Sequence, residues 1–308
     1  MYVVNVSSVQ DFMQCRYRWT AKWVYNRVPR AEGPALLTGK VIHRIFESYF
    51  LNGTPLQDAA TAEIVVLKDA LPGYDKFERP TAEKTLTMLA DLHEAWPLWR
   101  ETYPMDVPVL EVEAPFEIEF PECPGVIFRG RPDRVCISAG LIFHVQNRGL
   151  ASTMNFGTYA RLAKRHAHEH LYAEHLSRKY AMDGDYGGTL FNFVRKLKFR
   201  TYAGKKNEKV RTAAEMFWQH PMSVNLKSVQ HRDVMLDLFD HVAEMRRTEE
   251  RVLNGGRWPA PNDKMNGGFN GSSEDPFFKL MIREIKLSDD DVFKDREDTY
   301  VATEPGQE

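Results

Sequence analysis

The spacing of apolar and polar positions divides the chain into helical and extended stretches. From Ser7 or Ser8 to about Asn26, Phe12, Tyr17, Trp19, Trp23 and Val24 form a discontinuous apolar stripe, with Arg16, Arg18, Lys22 and Arg27 on the other faces. That spacing predicts a helix whose first amides the serines can cap. A second helix is expected from Leu37 to Leu51, closed by Asn52-Gly53. Residues 57–70 and 79–102 read as two more, parted by Pro72-Gly73-Tyr74-Asp75. At 107–120, VPVLEVEAPFEIEF, the period falls to two, as in a half-buried strand. Pro121, Pro124 and Gly125 then turn the chain into VIFRGRPDRVCI and LIFHV, so a three-stranded antiparallel meander should follow the helices.

Helical spacing resumes from Met154 to Tyr180, and GTLFNFVRKLKF reads as a strand that runs into basic residues. A long amphipathic helix is expected from about Ser228 to Leu253, ended by Asn254-Gly255-Gly256. Residues 257–287 pass from irregular to apolar, and the last twenty are acidic and polar and should fray. The fold class this order implies is α/β. A small mixed sheet, with strands near 108–119, 126–137, 141–147 and 187–196, should be flanked by helices and preceded by a helical insertion. Three regions are expected: 1–106 helical, 107–256 the core with its following long helix, and 257–308 a closing segment with a polar tail.

Composition narrows the function classes. The 308 residues are 43% hydrophobic and 27% charged, enough apolar content to bury a core. A formal net charge of −2 confines any nucleic-acid-binding surface to a local patch. Three widely spaced cysteines (Cys15, Cys123, Cys136) do not make a disulfide framework and fit a reducing cytoplasm. No basic leader with a long apolar run opens the sequence, so no signal peptide is expected, and no apolar run approaches the roughly 20 residues that span a bilayer. P-loop, GxSxG and GxGxxG motifs are absent, which weakens NTPase, hydrolase-triad and Rossmann readings.

The chemistry gathers in the stretch from Gly130 to Gly149. Phosphodiester hydrolysis uses a divalent cation to polarise the phosphoryl oxygen and activate water, and hard cations such as Mg²⁺ take oxygen ligands. Asp133, just after Pro132, offers a carboxylate; Gln146 can offer an amide oxygen and Asn147 its carbonyl; Arg148 would set positive charge over the scissile phosphate. His43 falls near the apolar seam of its helix with Phe46 and Phe50, a position that suits a packed histidine as well as a functional one. Arg195, Lys196, Lys198, Arg200, Lys205, Lys206, Lys209 and Arg211 face a single acid, Glu208, either as a solvated loop or as a phosphate-contacting one. His166, His168, His170 and His175 crowd one helix without an H-E-x-x-H or CxxC to complete a zinc site, so a solvated or substrate-facing helix stands beside a zinc-binding one.

Several of these pieces, in order, resemble the PD-(D/E)XK nuclease superfamily, in particular its RecB-like and CRISPR-associated exonuclease branch with phage relatives. GRPDRV, eleven further residues and HVQNRG resemble its active-site strands. SSVQDFMQCRYRWTAKWVY resembles the branch's first helix with its single cysteine, and TGKVIHRIFESYF the helix that supplies a histidine ligand, here His43. EVEAPFEI carries Glu113, and HEHLY places His168 and Tyr172 where the branch has a Q-x-x-x-Y helix facing DNA. The resemblance covers roughly residues 5–200 and, more weakly, 255–285. It implies a restriction-endonuclease-like core and a Mg²⁺- or Mn²⁺-dependent deoxyribonuclease, an exonuclease of recombination, repair or phage DNA processing, acting on single strands or duplex ends. Asp133, Gln146, Arg148 and Glu113 would be catalytic; His43, Asp133 and Gln146 would hold metal. His168, Tyr172, Arg195, Lys196, Lys198, Arg200, Lys205 and Lys206 would contact DNA.

Two departures keep a second reading open. Gln146 stands where the branch has Asp or Glu, and Arg148 where it has Lys. Arginine stabilises charge but does not hand over a proton at neutral pH. A catalytically weakened or inactive relative that binds nucleic acid or a protein partner is the alternative. The cysteines that hold an iron–sulfur cluster in much of the branch are replaced by Met265, Ser272, Asp275 and Met281, so no such cluster is expected.

Overall fold

A computed structural model of the chain describes residues 1–29, 33–76, 78–102, 107–150, 163–164, 166–201, 209–259, 286, 288 and 293–295. In chain order the first elements are β1 (Tyr2–Asn5), α1 (Val6–Gln14), α2 (Arg16–Trp19) and β2 (Arg27–Pro29). Four helices follow: α3 (Pro34–Asn52), α4 (Leu56–Ala70), α5 (Arg79–His93) and α6 (Trp96–Thr102). The strands β3 (Val109–Val112), β4 (Phe116–Glu119), β5 (Val126–Gly130), β6 (Arg134–Ser138) and β7 (Leu141–Leu150) come next. After α7 (Ala167–Lys179) and β8 (Asp185–Arg195) come the short β9 (Arg200–Thr201), β10 (Lys209–Val210) and α8 (Ala213–Met216). The series closes with β11 (Phe217–Met222), α9 (Val229–Leu253) and β12 (Phe293–Asp295). The expected α/β class and small mixed sheet are present. Among the described residues no helix is long and apolar enough to cross a membrane.

Two compact units emerge, each assembled from separated stretches of chain. One takes Met1–Arg30, Pro115–Gly130 and Asp233–Glu308; the other takes Ala31–Ala114 and Arg131–Arg232. In the first, β5 lies between β1, parallel to it, and β4, antiparallel to it. Phe120, Phe128 and Phe239 interleave there with ring centroids 5.3–5.9 Å apart. The helix expected over the first twenty-odd residues is broken at Cys15, whose extended backbone ends α1 and whose Sγ accepts from the Arg18 N–H at 3.2 Å to begin α2.

The second unit holds a five-stranded mixed sheet in the order β11-β8-β7-β6-β3. β3, β6 and β7 are antiparallel neighbours, β7 and β8 run parallel, and β11 closes the edge antiparallel to β8. Helices cover both faces. On one, Val41, Ile42, Ile45 and Phe46 of α3 join Trp96, Trp99, Val194 and Phe217 in the main core. On the other, Leu176 of α7 packs on Val135 and Ile142. The alternation of β6 shows in its side chains: Val135 meets α7, while the buried Arg134 lies 3.5 Å over the Phe50 ring of α3.

Two expected strands are each split, and the meander with them. The 107–120 stretch is β3 and β4, which belong to different sheets, because Glu113 takes a left-handed φ of 49° and Pro115 follows. The 126–137 stretch is β5 and β6, parted at Arg131-Pro132-Asp133, where proline removes a donor. Period-two alternation passes unbroken through the first break and could not reveal it, whereas at the second the Pro132-Asp133 step interrupts the apolar run.

Candidate active site

The site lies within the second unit, where β3, β6 and β7 meet α3. Buried Ile42, Ile45 and Phe46 anchor α3 on the sheet and leave His43 half-buried at its margin. Glu113 leaves β3 in the left-handed region and donates its N–H to the Asp133 carbonyl at 3.0 Å, which fixes the two acidic residues side by side. His43 Nδ1 stands 3.4 Å from Asp133 Oδ2 and 4.0 Å from Glu113 Oε1. One donor atom from each residue lies within 4.8 Å of the others. Asp133 Oδ2 accepts the Asn147 backbone N–H at 2.6 Å, and Glu113 Oε2 pairs with Arg131 Nε at 2.9 Å.

Electrostatics couple the three. Burial is the largest influence on His43 and works against its charge, yet Asp133 and Glu113 prevail and raise its pKa. Burial also raises the pKa of Glu113, with Asp133 adding to it and His43 and Arg131 opposing. Two carboxylates and an imidazole converging on one point fit a hard or borderline divalent cation such as Mg²⁺ or Mn²⁺.

Gln146 and Arg148 project from β7 toward α7. Gln146 is buried; its Oε1 accepts from Arg148 Nη2, and its Nε2 lies 3.3 Å from His144 Nε2. The amide expected to join the metal ligands is thus turned to a cation on its own strand. Arg148 Nη2 also lies 3.4 Å from His168 Nε2. Behind them stands a carboxylate the sequence reading passed over. Glu169 is fully buried, with Oε1 2.6 Å from His168 Nε2 and Oε2 3.0 Å from His144 Nε2, and Thr189 Oγ1 donates to it at 2.7 Å. Burial alone would raise its pKa, but the two histidines outweigh that and hold it well below the usual carboxylate range.

The remaining expected residues are spread more widely. His168 is buried beside Glu169. The Tyr172 hydroxyl donates to the Arg131 carbonyl at 3.2 Å and accepts its N–H at 3.4 Å, with the ring edge-on to His144. Arg195 ends β8, Lys196 is half-buried, and Lys198 and Arg200 are exposed, Arg200 pairing with Glu94 at 2.6 Å. Lys205 and Lys206 lie outside the described residues, as do Met265, Ser272, Asp275 and Met281. In the histidine-rich helix, His170 Nδ1 meets His231 Nδ1 at 2.9 Å, and His231 Nε2 meets Glu174 Oε1 at 2.8 Å. Besides Glu169, the sequence reading missed Arg131 and His144; both act through neighbours remote in sequence and carry no spacing signal.

Residues 3–145 match the sequence model of the PD-(D/E)XK nuclease superfamily. The matched stretch contains His43, Glu113 and Asp133 and ends just before Gln146. No curated protein matches the chain.

Proposed function

We propose that the chain is a divalent-cation-dependent deoxyribonuclease of the PD-(D/E)XK superfamily whose centre is His43, Glu113 and Asp133. The convergence of those three donors, inside the stretch that matches the superfamily, is the observation that carries the reading. Mg²⁺ or Mn²⁺ held there would polarise a phosphoryl oxygen and lower the pKa of an attacking water. The chain's own residues set the geometry. Asn147 and Arg131 hold the two carboxylates in place, and His43 completes the donor set from α3. Arg148 supplies fixed positive charge for the phosphate, while Gln146 orients its guanidinium and contributes a metal-facing oxygen only when Arg148 moves to substrate. Tyr172, His168 and the cations Arg195, Lys196, Lys198, Arg200, Lys205 and Lys206 serve the DNA strand. Exonucleolytic action in recombination, repair or phage DNA processing is the biological setting this reading favours. Labelled single- and double-stranded DNA incubated with Mg²⁺ or Mn²⁺ tests it: shortening is expected for the native chain and absent in Asp133→Ala, and shortening that persists in Asp133→Ala refutes the assignment.

A second reading has one observation in its favour. With the Gln146 oxygen engaged by Arg148, the site has two carboxylates facing the cation position and a guanidinium capping its third oxygen. A nuclease fold retained for binding nucleic acid or a protein partner would look the same. Metal-independent DNA binding without cleavage in any divalent cation would favour it.

A further inference from the structure

Lys196 follows β8 and runs back over Gly149 of β7, which leaves it room, with its ammonium near Gly39 of α3. A Cβ at Gly149 would stand 2.5 Å from Lys196 Cε and 3.1 Å from its Nζ, and one at Gly39 would stand 3.9 Å from Nζ. Gly39 sits inside α3 one turn before His43, and Gly149 sits two residues beyond the Asn147 amide that holds Asp133. A side chain at Gly149 would collide with the lysine stem, so that glycine marks a close approach, whereas a Cβ at Gly39 would make an ordinary contact with Nζ. Burial lowers the Lys196 pKa. Beyond it opens a cavity of about 360 Å³ lined by Lys84, Met88, Asp91, Lys196 and Lys198, with Pro34, the first residue of α3, at its wall. Three ammonium groups against one carboxylate, at the positive end of a 19-residue helix, make this an anion-attracting hollow.

These features fall in line along α3. At about 1.5 Å per residue, Gly39 and its lysine lie about 6 Å from His43, and Pro34 with the cavity about 13 Å from it. We propose that the Gly39–Gly149 saddle, Lys196 and the Lys84–Lys198 hollow form a track for successive phosphates of a single nucleic-acid strand leading away from the His43–Glu113–Asp133 centre. The inference rests on the nuclease reading for its direction, but the track itself binds phosphate without the metal. Met88, Pro34 and Leu197 give the hollow an apolar side for sugar or base, so a polynucleotide suits it better than a free anion.

The test is equilibrium binding of fluorescent oligothymidylates of increasing length, in EDTA, across a salt series. A single strand releases about 0.7 counterion per phosphate contact, so Lys196→Gln and Lys84→Ala should each flatten the log–log salt slope by about 0.7. Gly149→Ala, which pushes the lysine out of its seat, should reproduce the Lys196→Gln slope; Lys68→Ala on the exposed side of α4 should leave it as in the native chain. Thermal melts of all variants keep folding separate from binding, and Lys196→Arg should restore most of the slope if the Gly149 variant melts early. Slopes equal to that of Lys68→Ala, or affinity for inorganic phosphate or thymidine monophosphate as tight as for the longest oligomer, would overturn the track. Lysine-dependent slopes in a chain that never cleaves DNA would sink the nuclease reading and leave the track standing; cleavage with unchanged slopes would do the reverse.

Discussion

Replacing Glu169 by Gln keeps the shape of a fully buried side chain and removes its charge. In the native chain its two oxygens serve three partners, His168 at 2.6 Å, Thr189 at 2.7 Å and His144 at 3.0 Å. An amide has one acceptor oxygen. Whichever way it turns, its NH₂ must face either His168 or the Thr189–His144 pair, so one charge-assisted bond is lost and the others become neutral. Hydrogen bonds to charged groups contribute about 1.5–3 kcal/mol each, and opening a buried pair costs about 3–5 kcal/mol. A loss of about 2–4 kcal/mol is therefore expected, a large part of the roughly 5–15 kcal/mol that folded chains possess. Urea titration at neutral pH measures it. The pH dependence gives an independent check. The carboxyl is held well below its usual range in the folded chain, whereas an unfolded Glu takes up its proton near pH 4.3. Its contribution is thus complete above about pH 4.3 and is lost as the pH falls further, since the unfolded chain then binds more protons. The gap between native and Glu169→Gln stability should narrow as the pH falls below about 4.3. A gap under about 1 kcal/mol, or one that does not narrow in acid, would refute the assignment of Glu169 as an ionised carboxylate held by its histidines and Thr189.

Other outcomes follow from the same contacts. Gln146→Glu restores a carboxylate beside Arg148 and should tighten Mn²⁺ binding about tenfold, close to 1.4 kcal/mol, by titration calorimetry; unchanged affinity would remove position 146 from the metal environment. Arg134 is buried, and none of its nitrogens has a hydrogen-bond partner among the described residues. Arg134→Met should therefore raise the melting temperature, because the cost of desolvating a cation exceeds the ~2 kcal/mol its stacking on Phe50 returns; a lower melting temperature would contradict that. Burial holds the His175 pKa down to about 4, with Lys179 next to it. Unfolded histidine charges near pH 6.5, so stability should fall as the pH drops from about 6.5 to about 4, and His175→Gln should make that fall shallower; parallel curves would count against it.

Some of this was legible in the residues. The α/β class followed from periodicity, and α3, α4 and α9 lie within a few residues of the expected spans because their apolar stripes are long. Asp133 stands out by its own chemistry, Glu113 and the ligand role of His43 through a resemblance, and the structure brings the three together. What escaped was decided by single backbone angles or by partners far away in sequence. The left-handed turn at Glu113 leaves the alternation around it intact, so one strand was read where there are two. Glu169 did leave a trace. It stands three, four and seven residues before Tyr172, Ala173 and Leu176, on the inward seam of α7, where an acid is out of place unless something inside receives it.

The parallel pairing of β7 with β8 has a consequence for synthesis on the ribosome. Leu141–Leu150 is paired along its length with strand Asp185–Arg195, with one register shift at Ile142/Phe143, and Asn147, whose amide grips Asp133, is fastened from that side by Asn192 Nδ2 at 3.1 Å. His43, Glu113 and Asp133, the three proposed metal ligands, have all emerged well before β8 does. The nascent chain therefore carries the ligands for some time without the frame that sets their spacing, and gains that frame only when the partner strand arrives. A fragment cut at the end of the superfamily match, residue 145, would keep every donor and lose the amide that aims one of them. The stretch that matches the superfamily therefore stops short of the residues that set the spacing of its own acidic pair.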